Sequence, residues 1–410
     1  MLPEPAPRHN APWLFGVLLI PYGFTSSVAT ILMPYLLRKN GVPVDKIAPV
    51  VAIATLPAIW YFLWSPLADA GLRRRTCVLL SAAAAALAGA AAVLSVHGSL
   101  SFLTLLLFVA NACSGLLGSA NGALLTAMPD ALRGRSAGWY QAGNLGGGAV
   151  GGGLVIWLAD HASLPVLALG IAAVIFVPAV AAFRIEEPAP PRRAVGPLMR
   201  GLFHDMREVF SARRTWLGLV FFLSPVGSAA VGNLISGVGP DYHASGNVVL
   251  WVSGIGGGLL AAGGSFLGGY AADRMNRMYA YALAGILAAG CGLWLGFGPA
   301  NVFTYAAAYS AYSISSGIAY SVYTALVLDV VGRGRHAAAV AYSTLNAAGN
   351  VPVSYMTWLD GVGYSRRGAR GLMFTDAAAN GICGVILLGV AFFAGHYWHD
   401  RRAATVSADA

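Results

Sequence analysis

Long apolar runs, separated by short polar loops, recur along the whole chain. Twelve of them are long enough to cross a bilayer as a helix, which takes about 20 residues. These predicted spans, numbered helix 1 to helix 12, cover residues 12–37, 47–68, 76–97, 99–127, 138–159, 164–183, 215–240, 248–270, 279–297, 301–329, 338–359 and 371–397. A β-barrel would instead show alternating segments of about ten residues. Because lipid offers the backbone no hydrogen-bond partner, the pattern predicts an all-α integral membrane protein.

Landmarks of the first half of the chain return in the second half. Pro21-Tyr22-Gly23 in helix 1 returns as Pro225-Val226-Gly227 in helix 7, 204 positions later. Asp69, after helix 2, returns at the same interval as Asp273, after helix 8. A half-length repeat in an apolar chain is typical of transporters whose substrate site lies near the membrane midplane, between two related halves. We therefore expect two pseudo-symmetric six-helix halves.

A polar stretch, residues 184–214, separates an N-terminal half (1–183) from a C-terminal half (215–410). It holds seven arginines, and four prolines lie between positions 188 and 197. Apolar residues at helical spacing from Leu198 to Phe210 indicate an amphipathic helix on the inner membrane surface. We interpret this linker as a tether between the halves, with a gate or a partner dock as the alternative.

Charge acts mainly as an orientation signal. Charged residues make up 10% of the chain, against about 25% in a typical soluble protein. With the N-terminus placed inside, 19 of the 25 lysines and arginines fall in cytoplasmic segments and 6 in outer loops. The positive-inside rule then predicts cytoplasmic termini and a cytoplasmic linker. The net charge of +9 thus needs no nucleic-acid partner, and we expect a multi-pass monomer in the lipid bilayer of a bacterial-type cytoplasmic (inner) membrane.

Two short loops at equivalent positions in the halves carry the same chemistry. Ala68-Asp69-Ala70-Gly71-Leu72-Arg73-Arg74-Arg75 follows helix 2, and Gly269-Tyr270-Ala271-Ala272-Asp273-Arg274-Met275-Asn276-Arg277 follows helix 8. Both resemble the signature loop of the major facilitator superfamily, which implies that fold and alternating access. An acid at a helix end, with arginines beyond it, can pair with the other half when the inner side is shut. Ordinary positive-inside anchoring is the alternative.

Basic residues repeated elsewhere extend this predicted gate. Arg133-Gly134-Arg135 returns 200 positions later as Arg333-Gly334-Arg335. The predicted gating residues are Asp69, Arg73, Arg133, Arg135, Asp273, Arg274, Arg277, Arg333 and Arg335.

Residues 12–80 carry a narrower resemblance, to the AmpG-type muropeptide permeases of the peptide–acetyl-CoA transporter family. It rests on Gly23, Leu36-Leu37-Arg38-Lys39-Asn40-Gly41-Val42, Ile47, Leu56-Pro57 and Phe62-Leu63-Trp64-Ser65-Pro66-Leu67-Ala68-Asp69. The resemblance implies a muropeptide-like solute. Those permeases carry acidic residues in helix 4, where this chain has Asn121-Gly122-Ala123-Leu124-Leu125-Thr126, so their substrate and proton-coupling residues do not transfer directly.

Helix 10 carries a polar stripe through the membrane. Its members are Tyr305, Tyr309, Tyr312, Ser316, Tyr320 and Tyr323. Hydroxyls in the membrane interior need partners, so this face should look into protein or water. We interpret the stripe as a substrate path, with packing between helices as the alternative.

Polar positions on four other helices, 1, 4, 5 and 11, complete a predicted cavity, with amides on one side and tyrosines on the other. The predicted substrate-binding residues are Tyr22, Thr25, Ser26, Asn111, Ser114, Asn121, Gln141, Asn144, Tyr309, Tyr312, Ser316, Tyr320, Tyr342 and Asn346. A site for a polyanion would place a cation in mid-helix, and this chain has none there. The expected solute is a small organic molecule, uncharged or weakly charged, and rich in hydroxyl or amide groups.

Energy coupling has one candidate, Asp376, about one turn inside helix 12. It could bind a proton or, alternatively, pair with Arg366, Arg367 or Arg370. The chain shows no nucleotide-binding motif, metal cluster or catalytic triad pattern, so we expect no enzyme activity, no cofactor and no metal site. The leading function is secondary active or facilitative transport, with protons as a candidate partner. The alternatives are a siderophore importer or an exporter of small amphiphiles or drugs of the same superfamily, and a non-transporting membrane sensor.

Overall fold

The computed structural model describes residues 9–69, 72–187, 195–332 and 338–408, and these residues form helices and connecting turns without a β-strand. Nine helices in the described ranges are long and apolar enough to cross a membrane. One of them, Ala338–Phe393, is two crossings joined where Arg367 and Gly368 leave helical geometry. Helices 2 and 7 are broken into shorter pieces, which completes the twelve crossings and confirms the predicted fold.

The unbroken crossings extend one or two turns beyond several of the predicted apolar runs. Their bounds are Pro12–Lys39 (helix 1), Arg74–Leu94 (helix 3), Leu100–Leu125 (helix 4), Asp130–His161 (helix 5), Leu164–Arg184 (helix 6), Gly246–Arg274 (helix 8), Arg277–Phe297 (helix 9) and Val302–Val331 (helix 10). Helix 11 begins with Ala338–Ala348 and continues from Asn350 to the kink, where helix 12 begins.

Helices 2 and 7 are each predicted as one span but break inside the membrane. Helix 2 runs as Val44–Thr55 and Pro57–Trp60, followed by 3₁₀ turns at Tyr61–Leu63 and Ser65–Asp69. Helix 7 runs as Arg213–Phe222 and Val231–Val238, followed by a 3₁₀ turn at Gly239–Tyr242.

The break in helix 7 follows from its local sequence. Pro225 has no backbone N–H to continue the helical ladder. Gly227 adopts φ +76° and Ala229 φ 51°, a left-handed conformation that glycine accepts without strain. The break frees backbone carbonyls, and the Tyr281 hydroxyl donates a hydrogen bond to the carbonyl of Val226.

Glycines bring helix backbones into direct contact within each half. A Cβ atom added at Gly23 or Gly143 would overlap the backbone of Asn144 or Gly16, so helices 1 and 5 touch. A Cβ added at Gly264 would similarly overlap the carbonyl of Ile314, which brings helices 8 and 10 together. Between the halves, helices 5 and 8 approach closely at Gly138, where a Cβ would lie 2.7 Å from the carbonyl oxygen of Ser265.

A helix in the linker, Val195–Ser211, lies against the end of helix 2 and the beginning of helix 11. Leu202 and Val209 on this helix are buried, whereas Phe203, expected on the same apolar face, is 75% exposed. The linker helix therefore lies at the end of the bundle that carries Asp69 and Asp273. We call this the basic end, and the other the opposite end.

Candidate functional site

A cavity of about 110 Å³, here called the central cavity, lies between the two halves. Both halves of the chain contribute to its lining, which includes residues of the broken parts of helices 2 and 7. Its lining residues are Leu19, Tyr22, Tyr61, Gly118, Tyr140, Gln141, Asn144, Phe222, Val226, Gly227, Tyr281, Tyr320, Tyr323, Asn346, Gly349, Asn350, Pro352 and Val353. Tyrosines therefore enter from both halves, which differs from the predicted division into amides on one side and tyrosines on the other.

A second cavity, of about 350 Å³, continues toward the opposite end. It lies between helices 1 and 5 of the first half and helices 7, 8 and 10 of the second. Tyr309, Tyr312, Ser316 and Tyr320 of the helix 10 stripe line it, and Tyr320 lines both cavities. Ile31, also in its lining, is 40% exposed.

Neither cavity has a charged lining in the described part of the chain, and the two differ in polarity: the central cavity is lined by many polar side chains, whereas the second cavity is mostly apolar apart from its tyrosines and serines. Among the described residues, neither cavity is lined by an aspartate, glutamate, lysine, arginine or histidine. The central cavity instead offers phenol hydroxyls, side-chain amides and aromatic ring faces. Such a surface can bind a neutral solute by hydrogen bonding and ring stacking, because aromatic rings pack against apolar faces while their hydroxyls stay available.

Three hydrogen bonds join the halves at the central cavity. Gln141 Nε2 donates to Thr324 Oγ1 at 2.7 Å, between helices 5 and 10. Asn346 Nδ2 donates to the Tyr61 hydroxyl at 2.8 Å. Asn350 Nδ2 donates to the carbonyl oxygen of Ala58 at 3.1 Å. Helix 11 is thus tied to the broken part of helix 2.

A tyrosine plug lies between the central cavity and the basic end. Tyr342 of helix 11 is fully buried and packs edge-on to Tyr140, with ring centroids 6.0 Å apart. Gly122 of helix 4 leaves room for it, since a Cβ atom there would overlap the Tyr342 ring. The Tyr342 ring of the second half therefore occupies the space that the absent side chain of Gly122 leaves in the first half.

At the basic end the two repeated aspartates each reach into the other half. Asp273 of helix 8 accepts hydrogen bonds from the backbone N–H groups of Gly134 and Arg135 at 2.7 and 3.0 Å. Its carboxylate also pairs with the Arg135 guanidinium at 3.0 Å. Asp69 of helix 2 accepts from the backbone N–H of Ala339, in helix 11, at 3.0 Å. The repeat in the sequence therefore corresponds to a repeat in the contacts. The aspartate of helix 8 binds backbone N–H groups in the first part of helix 5, and the aspartate of helix 2 binds one near the start of helix 11.

A third inter-half contact is centred on Asp329, at the end of helix 10. Its carboxylate pairs with Arg133 of the first half at 3.2 Å and with Arg277 of the second half. Arg277 also donates to the carbonyl oxygen of Asp130, in the first half, at 2.9 Å. We call these contacts of Asp69, Asp273, Arg133, Arg135, Arg277 and Asp329 the basic-end network.

Two of the predicted gating residues, Arg73 and Arg274, take no part in the basic-end network of the described residues. Arg73 is exposed, and the neighbouring Arg74 pairs with Asp69 instead, at 2.8 Å. Arg73 lies at the N-cap position of helix 3 in an extended backbone conformation, and its side chain makes no capping hydrogen bond. Arg274 lies over the ring of Tyr270 in its own half, 3.8 Å from the centroid. Arg333 and Arg335 lie outside the described residues.

The predicted substrate-binding residues divide into two groups. Eight line one of the two cavities: Tyr22, Gln141, Asn144, Tyr309, Tyr312, Ser316, Tyr320 and Asn346. Six do not: Thr25, Ser26, Asn111, Ser114, Asn121 and Tyr342.

Local hydrogen bonds and packing explain most of the second group. Thr25 and Asn111 donate to carbonyls one turn earlier in their own helices. Asn121 donates to the carbonyl of Phe15 and so joins helix 4 to helix 1. Ser114 is buried, and Ser26 is exposed one turn from Tyr22. The polar face of helix 4 is thus mainly a packing face.

Several cavity residues escape sequence reasoning. Tyr61, Tyr140, Tyr281 and Phe222 line the central cavity but belong to no polar stripe. For Tyr61 and Phe222 the available signal is the prolines that break helices 2 and 7, because a broken helix turns its side chains and carbonyls toward the space beside the break. Tyr140 and Tyr281 lie on the unbroken helices 5 and 9, which give no such signal.

Asp376 is fully buried, and its Oδ1 accepts a hydrogen bond from the Tyr312 hydroxyl at 3.3 Å. It pairs with none of Arg366, Arg367 and Arg370, which are all exposed. In the described part of the chain, no group of histidine, cysteine, aspartate and glutamate has metal-binding geometry.

Comparisons with known proteins agree with this architecture. The sequence matches the Major Facilitator Superfamily over residues 14–355. None of the curated proteins compared with this chain matches it. Among solved structures, it resembles the human organic anion transporter TETRAN, with 18% identity over 92% of this chain and 98% of that one and a TM-score of 0.68.

Two sugar transporters show the same overall fold. The proton:xylose symporter XylE, bound to 6-bromo-6-deoxy-D-glucose, is 13% identical, with 92% and 94% of the two chains covered and a TM-score of 0.67. The Escherichia coli fucose:proton symporter FucP is 14% identical, with 91% and 97% covered and a TM-score of 0.64. At these identities the likeness concerns the fold.

Proposed function

We propose, on the premise that this chain belongs to the Major Facilitator Superfamily, that it is a secondary transporter that moves a neutral organic solute by alternating access. One observation carries the proposal. A cavity lined by uncharged tyrosines and amides from both halves lies between two ends that are joined by different means. Rocking of the halves would expose such a cavity to each side of the membrane in turn.

The lining supports a solute rich in hydroxyl or amide groups. A buried arginine or lysine would be expected for an organic anion, and neither cavity has one among the described residues. The comparison with XylE and FucP, which carry sugars together with protons, therefore suits this lining better than the comparison with an organic anion transporter.

Within this class we propose a sugar- and amide-rich solute of the muropeptide kind. The resemblance of residues 12–80 to the AmpG-type permeases supports it, and so does the size of the site. The central cavity alone has about 110 Å³, whereas the second cavity adds about 350 Å³, and Tyr320 connects them. A solute larger than a monosaccharide would occupy both.

We further propose that the basic end faces the cytoplasm, as the positive-inside rule suggests. The basic-end network would then be the inner gate, and the arrangement described above would be closed to the cytoplasm. The six-helix halves, 1–183 and 215–410, would rock about the linker at residues 184–214.

Counterflow in proteoliposomes tests the proposal. Purified protein is reconstituted in vesicles loaded with unlabelled solute, and uptake of labelled solute is followed for D-xylose, L-fucose, N-acetylglucosamine and an N-acetylglucosaminyl muropeptide. We expect counterflow of at least one of these hydroxyl- and amide-rich solutes and none of a small aliphatic dicarboxylate, which offers two charges and neither a sugar ring nor an amide. Counterflow of a ferric siderophore or a hydrophobic amphiphile alone would move the assignment to the importer or exporter alternative. Binding of a solute without counterflow would favour a sensor.

A further inference from the structure

Helices 11 and 12 form a tight antiparallel pair near the opposite end. They meet at Arg367 and Gly368, and Gly368 has φ +59°. Just inside this kink, a Cβ atom added at Gly371 would overlap the carbonyl oxygen of Gly363, so the two backbones touch. Asp360 precedes this contact by one turn on helix 11. Asp376 follows it by five residues on helix 12, so the two side chains lie at a similar depth, about 10–12 Å below the kink at 1.5 Å per residue.

Both carboxyl groups are buried and lack charged partners. Asp360 and Asp376 each have 0% exposed surface. Neither oxygen of Asp360 has a hydrogen-bond partner, and Oδ2 of Asp376 has none either. Within the ranges that the structure describes, no lysine, arginine or histidine forms an ion pair with them. Asp360 and Asp376 do, however, interact electrostatically with each other.

The surrounding helices supply few ionisable groups. Helix 10 contributes Tyr312, whose hydroxyl is 3.3 Å from Asp376 Oδ1, and Tyr309, one turn away. Helix 9 contributes Cys291, which is buried with Met373 of helix 12 in one apolar cluster. The facing part of helix 7, Val231–Val238, has no ionisable side chain. On helix 12 itself, Asn380 donates to the backbone carbonyl of Asp376 at 3.0 Å.

An ionised carboxylate without a partner is very unfavourable in such surroundings, and two adjacent ones are more so. A neutral carboxylic acid costs far less, because it carries no net charge. Tyr312 belongs both to this cluster and to the lining of the second cavity. Its hydroxyl therefore connects the buried pair to the solute-sized space between the halves.

We propose that Asp360 and Asp376 form a proton-binding pair, and that Tyr312 couples its protonation to occupancy of the second cavity. The proton comes from water on the side to which the second cavity opens, binds a carboxylate oxygen of the pair, and leaves to water on the other side in the alternate arrangement. When the pair loses a proton, the Tyr312 hydroxyl is held more strongly by the resulting charge and is less free to bind solute. Coupling to transport rests on the proposed function, whereas proton binding by the pair does not.

Infrared spectroscopy tests proton binding without any solute. The purified wild-type chain at neutral pH should show a carboxylic-acid carbonyl band that shifts when aspartate is labelled with ¹³C. Asp360→Asn and Asp376→Asn should each reduce the band, and the double variant should remove it. Asn is neutral and of similar size, so each single variant should remain folded and monodisperse even if the double variant does not. The matched control is Asp160→Asn, which removes an exposed aspartate paired with Lys39 and should leave the band unchanged.

Three results would overturn the proposal: no acid band in the wild type at neutral pH, a band that survives in both single variants at full intensity, or loss of the band on adding Na⁺ at constant pH, which would indicate a cation site. Counterflow separates this question from the proposed function, because exchange of solute needs no net proton movement. Failure of wild-type counterflow would contradict transport but leave the infrared result standing. Normal counterflow with no acid band would contradict only the proton pair.

Discussion

The two ends of the bundle hold the halves together by different physical means. At the basic end, carboxylates and guanidinium groups cross between the halves, as Asp273 does to Gly134 and Arg135. At the opposite end, the charged and polar pairs stay within one half: Lys39 with Asp160, and Tyr364 with Asp241. There the halves meet through apolar contacts of helices 5 and 8.

This difference affects how each end can open. A hydrogen bond to a charged group contributes about 1.5–3 kcal/mol and is lost once its atoms separate. An apolar contact between two atoms gains only about 0.1–0.2 kcal/mol and is easily replaced by a neighbouring one. The basic end should therefore behave as a two-state closure and the opposite end as a surface that slides. We expect the charged contacts to stabilise the arrangement that is closed at the basic end.

The largest effect should come from removing both inter-half aspartates. Asp69→Asn with Asp273→Asn should weaken the closure by up to about 1.5–3 kcal/mol at each site, because each loses a charge-assisted bond across the halves. Spin labels at Arg73 and Met275, both exposed and in different halves, should report a longer distance by double electron–electron resonance. Asp160→Asn, which removes an ion pair within one half, should leave this distance unchanged. An unchanged distance in the double variant would reduce the two residues to membrane anchors.

Overpacking should discriminate between the two ends. Gly122→Ala would drive a Cβ into the buried Tyr342 ring, and we expect a cost of about 1–3 kcal/mol. Gly153→Ala, at the opposite end, would meet Cγ1 and Cδ1 of Ile255. That side chain is half-buried beside the second cavity and can change rotamer, so we expect a smaller cost of about 0.5–1 kcal/mol. Thermal unfolding in detergent measures both. Equal shifts for the two variants would mean that both ends are packed with the same rigidity.

A smaller effect on the closure is expected for Arg133, which contacts the other half, and none for Arg73, which does not in the described part of the chain. Arg133 is 5% exposed and pairs with Asp329, which keeps Arg277 as a second partner. We expect Arg133→Gln to destabilise the closed basic end by about 1–2 kcal/mol. The same inter-half distance is measured, but the first spin label is placed at Leu72 so that Arg73 stays available for mutation. Arg73→Gln should have no measurable effect, since Arg73 is exposed and makes no ion pair among the described residues. A larger effect for Arg73 than for Arg133 would restore the sequence-based assignment.

The smallest effect concerns the cavity between the ends. Tyr320 lines both cavities, and Tyr320→Phe should weaken solute binding by about 0.5–1.5 kcal/mol, the value of one hydrogen bond. Tyr305→Phe, on the same stripe, is the control, because Tyr305 lines neither cavity, although each of the two hydroxyls donates to a backbone carbonyl in its own half. Isothermal titration with a solute active in counterflow would measure both affinities. Equal losses would mean that the stripe acts through packing.

The site was only partly predictable from the chain. Eight of the fourteen predicted binding residues line a cavity, since polar stripes at helical spacing mark faces that cannot contact lipid. The same signal does not separate a cavity from a packed interface, and it therefore marks Asn121 and Thr25, which hydrogen-bond within the packed helices. Tyr61 and Tyr281 could not be found this way, because the breaks that uncover them depend on how a proline is accommodated by neighbouring helices.

What the sequence by itself determined is the class of molecule: twelve helical crossings, a half-length repeat and the acids and arginines of the basic end. The length of the apolar runs and the positions of the charges suffice for these. In lipid the backbone must satisfy its hydrogen bonds within a helix or closed barrel, and a charged side chain in the membrane interior is energetically unfavourable. Only the tertiary structure decided which arginine meets Asp69, where Asp329 bridges the halves, and that Asp360 and Asp376 share a depth without charged partners. These depend on distances between helices far apart in the chain, and no local pattern encodes such distances.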